Sequence, residues 1–202
     1  MRISIFISTA VLLFAFSVCA QQTNQNGRIL RERFVPPSGY SRISYPDGSF
    51  AGYLRDYPLK PYGAPVLLYD GSVKRNNVHV SVFDMPLLKS DLIQCADAII
   101  KLRAEYLYSH KMYREISFTL TNGMAVPFSR FARGQRVSVK GNRSSWKGGG
   151  RSGYGRRVFD EYLRFIYMYA GTYSLSRELK SVPLTDIRCG DIFIFGGMPG
   201  HG

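Results

Sequence analysis

Asp91-Leu92-Ile93-Gln94-Cys95-Ala96-Asp97-Ala98-Ile99-Ile100-Lys101-Leu102-Arg103-Ala104-Glu105-Tyr106-Leu107 is the stretch on which the fold turns. Leu92, Cys95, Ala96, Ile99, Leu102, Tyr106 and Leu107 recur at three- and four-residue spacing, the period of an amphipathic helix. Ser90 or Asp91 is placed to cap it, and Lys101 and Glu105 fall on the opposite, polar face. A second helix answers it further on. Val158, Phe159, Tyr162, Leu163, Ile166, Tyr169 and Ala170 form one apolar face, and Gly171 is placed to end that helix.

Strand signals lie around and between these helices. Val66-Leu67-Leu68-Tyr69 before Asp70-Gly71 reads as a short strand and turn, and Val78-His79-Val80-Ser81-Val82-Phe83 alternates as a strand should. Glu115-Ile116-Ser117-Phe118-Thr119-Leu120 is closed by the turn dipeptide Asn122-Gly123, and residues 135–140 alternate again. Asp47 can cap a short helix over Phe50, Tyr53 and Leu54, and Ser174 opens another before Pro183. Residues 141–155, rich in Gly, Ser and Arg, read as a mobile loop. Strands and helices mix without regular alternation. The pattern predicts one α+β domain, with a mixed or mainly antiparallel sheet packed on two or three helices.

The first twenty residues read as an export signal: Arg2, an apolar stretch over 5–16, and the small residues Val18 and Ala20 at a cleavage site. The expected product is periplasmic or secreted, with lipid attachment at Cys19 the alternative. Residues 21–33 are polar and unpatterned, a flexible leader by this reading, and 34–202 form the domain. No later segment is apolar enough to span a bilayer. The formal net charge of +13 favours anionic envelope polymers as partners, and an exported chain without a nucleic-acid motif is not expected to bind nucleic acid.

Gly148-Gly149-Gly150-Arg151-Ser152-Gly153 formally matches a dinucleotide loop, but Trp146-Lys147 before it forms no buried strand. His79, His110 and His201 show no metal-ligand spacing, so neither cofactor nor metal is expected. What remains is Cys95 with His201. A helix N-terminus favours a thiolate nucleophile, and a base can be brought alongside from a distant strand. With Ser90 as cap, Cys95 falls in the second turn, on the apolar stripe. Three readings of it stay open: nucleophile, inert core residue, and disulfide partner of Cys189. Gly190-Asp191 introduces an apolar strand over 192–195, after which His201 is either the base or a surface histidine. Gln94 is a candidate oxyanion donor. The alternative to a cysteine hydrolase is a non-catalytic protein that binds an anionic glycan or a protein partner through Arg143, Lys147, Arg151, Arg156 and Arg157 within a basic 130–157 region.

Several segments together resemble one family of exported bacterial proteins, domain of unknown function 4846. They include Pro36-Pro37-Ser38-Gly39-Tyr40, Tyr69-Asp70-Gly71-Ser72-Val73-Lys74 and, most densely, 91–98 with 102–108. Thr121-Asn122-Gly123, Tyr169-Ala170-Gly171-Thr172 and Gly190-Asp191-Ile192-Phe193-Ile194 with Pro199-Gly200-His201 complete the match. The resemblance implies an exported protein and no particular activity. Its members run on past Pro-Gly-His, so a C-terminally truncated domain lacking closing strands is the expectation, and Cys189 is not a cysteine the resemblance calls for. In layout, helix-borne Cys before strand-borne His is similar to papain-like and NlpC-type cysteine peptidases.

Overall fold

The computed structural model describes residues 22–76, 78–86 and 88–197. Its elements in order are α1 (Leu30–Arg33), α2 (Phe50–Arg55), α3 (Cys95–Ser109), β1 (Ser117–Thr119), β2 (Ala125–Pro127), α4 (Phe128–Phe131), β3 (Arg136–Lys140), β4 (Arg143–Lys147), α5 (Arg156–Tyr169) and α6 (Thr172–Glu178). The class is α+β, as the residue pattern predicts, but the strands form two separate antiparallel pairs, β1–β2 and β3–β4, rather than one sheet.

The two long helices make the core. Ile100, Ala104 and Leu107 of α3 are buried at a spacing of four and three, and Val158, Phe159, Tyr162, Leu163 and Ile166 of α5 face them. Burying each large apolar side chain is worth about 1.5–3 kcal/mol. Tyr108 stacks on Phe159 at 4.1 Å between ring centres, while Glu105 near the end of α3 binds Arg156 at the start of α5. At the other end Cys95 and Asp97 share a cavity with Tyr167, so the two helices run antiparallel. The β1–β2 hairpin turns at Asn122-Gly123, where Gly123 has φ +89°, and places Phe118 opposite Val126 in the core. The buried Tyr162 hydroxyl donates to the Val126 carbonyl at 2.8 Å, which ties that hairpin to α5.

Five expectations are corrected. α3 begins at Cys95 rather than near Ser90: the Asp97 carboxylate accepts from the Gln94 N–H at 3.0 Å, and Ser90 Oγ makes no bond. Residues 78–83 form no strand; only Phe83 bridges Leu59, because Pro58, Pro61 and Pro86 interrupt any longer ladder. Within the supposed loop 141–155, β4 pairs with β3, since Trp146 can bury its ring opposite Val137. Residues 192–195 keep their alternation, Ile192 and Ile194 inward and Phe193 and Phe195 exposed, and Phe195 takes part in an isolated bridge rather than in a continuous strand.

The fifth concerns residues 22–33, which are held in place rather than loose. Thr23 bridges Phe34, and Arg33 is 0% exposed. Its guanidinium donates to the carbonyls of Gly27 and Lys60 and to Ser81 Oγ, so one side chain latches three segments. A Cβ on Gly27 would sit 2.5 Å from the Arg33 backbone nitrogen, so the turn needs glycine there.

Candidate functional site

Cys95 is the first residue of a fifteen-residue helix, and it is exposed. Cys95 therefore belongs to the first turn of α3, the end of a helix whose N–H groups and dipole favour negative charge. The later start of the helix moves Cys95 from the second turn to the tip, off the buried stripe that Ala96, Ile100 and Ala104 form. Cys95 and Cys189 are both free thiols. Cys189 is half-buried, its N–H donating to the Tyr45 hydroxyl at 3.1 Å.

Cys95 lines a cavity of about 520 Å³ together with Asp91, Gln94, Asp97, Tyr167 and Thr172. Two of these lining residues each hold a polar atom that is buried without a partner, Asp97 Oδ1 and the Tyr167 hydroxyl. A buried polar group without a hydrogen bond is costly, and the interior rarely leaves one without a reason. Burial pushes the Asp97 carboxyl up to about 6, against the N–H of Gln94, which favours its charged form. Burial, with the nearby Glu105 and Asp97 carboxylates, also raises Tyr167, so its hydroxyl stays a proton donor across the physiological range.

Tyr167 also lines a second cavity, of about 500 Å³, between α3 and α5, with Tyr53, Tyr57, Lys101, Glu105 and Arg156. Lys101 and Glu105 do not form the exposed face that periodicity predicts. Lys101 is 6% exposed, and its Nζ lies 3.0 Å from Glu105 Oε1. Arg156 grips both Glu105 oxygens at 2.7 Å and reaches Asp160 at 2.8 Å. Burial alone would raise Glu105, but Arg156 and Lys101 hold it below the usual carboxylate range.

The other candidates are scattered. Gln94 lines the Cys95 cavity as the residue preceding α3, and its backbone N–H is already given to Asp97. His201 lies outside the described residues. Of the described histidines, His79 Nε2 sits 2.9 Å from the Ala64 carbonyl and His110 Nδ1 2.8 Å from that of Tyr106; neither lines the cavity. Arg156 is spent on Glu105 and Asp160, and Arg151 reaches Glu161 at 4.0 Å. Arg143, Lys147 and Arg157 are exposed. No group of three metal-ligating side chains occurs among the described residues, and none of their helices is long and apolar enough to cross a membrane.

Asp97 and Tyr167 are the residues that periodicity missed. Asp97, three positions after Gln94, carried the signal of an acidic cap. Tyr167 follows Leu163 by four and belongs to the buried stripe, which the pattern assigned to Tyr169 instead.

No curated protein and no solved structure matches the chain, so neither comparison supports the expected likeness in layout to papain-like and NlpC-type peptidases. The family model described as "Domain of unknown function (4846)" matches residues 30–202, and the chain belongs to that family.

Proposed function

We propose that the protein is a cysteine-dependent hydrolase of peptide or amide bonds, exported to the cell envelope, with Cys95 as its nucleophile. The observation that carries this reading is the exposed Cys95 at the tip of α3, in a cavity lining that includes two residues with unpartnered buried polar atoms. The export signal read in residues 1–20 supports the location.

In this reaction the Cys95 thiolate attacks the carbonyl carbon, and the carbonyl oxygen takes up the negative charge. The Tyr167 hydroxyl donates to that oxyanion, a role in keeping with a buried, unpartnered donor that does not ionise near neutrality. The carbon–nitrogen bond then breaks, and the amine leaves with the proton that the base took from the thiol. Water attacks the thioester and releases the acid, returning the proton to sulfur. His201 is the base in this scheme, on the strength of its place after Gly190-Asp191 and the alternating 192–195 segment.

The test is amine release from a panel of fluorogenic peptidyl amides. Cys95→Ser abolishes turnover. Tyr167→Phe lowers kcat by roughly 100-fold with little change in KM, the signature of a lost oxyanion donor. Turnover by Cys95→Ser equal to that of the wild type would refute the assignment.

A further inference from the structure

The register of β3 and β4 sorts the hairpin into two unlike faces. Val137 lies opposite Trp146 and Val139 opposite Ser144, and Val137, Val139 and Trp146 pack against the core. On the other face Arg136 lies opposite Lys147, Ser138 opposite Ser145, and Lys140 opposite Arg143. Like charges directly across a sheet oppose the pairing of its strands. At one row the conflict is relieved, because Arg136 lies over the Phe131 ring at 3.8 Å and binds Glu161 at 2.8 Å. At the other it is not. Lys140 and Arg143 are both exposed, and no carboxylate reaches Lys140, Arg143 or Lys147 within ion-pair distance among the described residues.

The outward face thus presents three uncompensated cations around a row of serine hydroxyls, with Lys147 about 13 Å along the strand from the Lys140–Arg143 row. It has no apolar side chain to enter a lipid layer. It offers no aromatic platform for bases either, since Trp146 is turned inward with Arg130 over its ring at 4.4 Å. Cations in line, hydroxyl donors between them and no stacking surface suit a chain whose negative charges recur along its length. We infer that the outer face of the β3–β4 hairpin docks a linear carboxylated polysaccharide, held by Lys140, Arg143 and Lys147. The surface is separate from the Cys95 cavity and stands whether or not Cys95 reacts.

Fluorescence anisotropy with a labelled polygalacturonate oligomer between 20 and 200 mM salt tests this. The wild type binds, and its affinity falls as salt rises. The variant K140Q/R143Q/K147Q binds at least tenfold more weakly, with a shallower salt dependence. The variant R28Q/K74Q/K180Q removes the same charge from exposed sites elsewhere and keeps most of the affinity. Relief of the Lys140–Arg143 repulsion leaves the melting temperature of the hairpin variant unchanged or raised. Absence of wild-type binding, equal losses in the two variants, or a lowered melting temperature in the hairpin variant would each overturn the inference. Tighter binding to a single-stranded DNA of equal length would overturn the choice of partner.

Discussion

Asp97 works at both ends of the same turn. One carboxylate oxygen fixes where α3 starts, and the other is buried without a partner in a residue that lines the same cavity as Cys95. Its carboxyl, pushed up to about 6, binds more protons in the folded chain than in the unfolded one between the usual aspartate range and that value. Folding stability contributed by this group is therefore present at low pH and is lost as pH rises through about 6. Asp97→Asn keeps an acceptor for the Gln94 N–H and removes the buried charge. Urea denaturation at pH 4 and pH 7 checks the consequence. The variant gains on the wild type by on the order of 1 kcal/mol at pH 7 and by little at pH 4. An equal gain at both pH values would mean that the carboxylate is not strained by its surroundings.

At the scale of elements, the α3–α5 interface combines an apolar stripe with a charged seam. Ile100, Ala104, Phe159 and Tyr162 supply the stripe; Lys101, Glu105 and Arg156 supply the seam. Glu105 answers two cations, one of them almost wholly buried, so its removal leaves Lys101 with no negative partner. Glu105→Gln destabilises the fold by about 3 kcal/mol, measured by thermal or urea unfolding at pH 7. A loss below about 0.5 kcal/mol would place the seam with ordinary surface pairs.

The two helices were legible because a long apolar period leaves little choice. The boundaries were not, and the reason is chemical: Ser90 and Asp91 both satisfy a cap in sequence, and only the bond from Asp97 decides against them. Lys101 and Glu105 looked like a solvated face because periodicity does not see Arg156 arriving from another helix. Trp146 marked β4, but the surrounding Gly and Ser masked it. Cys95 was found from residue order, whereas Asp97 and Tyr167 became visible only as cavity-lining residues with unsatisfied atoms.

For the whole molecule, the packing of distant segments sets the site. The Arg33 latch joins residues 27, 60 and 81, and the antiparallel packing of α5 on α3 carries Tyr167 to the end of the chain's longest described helix. Any special reactivity of Cys95 is then a property of the folded chain, since an unfolded chain has neither helix terminus nor cavity. The most direct measurement is the rate of iodoacetamide alkylation at Cys95, followed by peptide mass spectrometry at pH 7, in native and in urea-unfolded protein. Half-buried Cys189 serves as the internal reference. Native Cys95 is predicted to react at least tenfold faster than the same residue in the unfolded chain, while Cys189 reacts more slowly when native than when unfolded. A Cys95 that reacts no faster in the native protein, or only after unfolding, would contradict its role as the nucleophile.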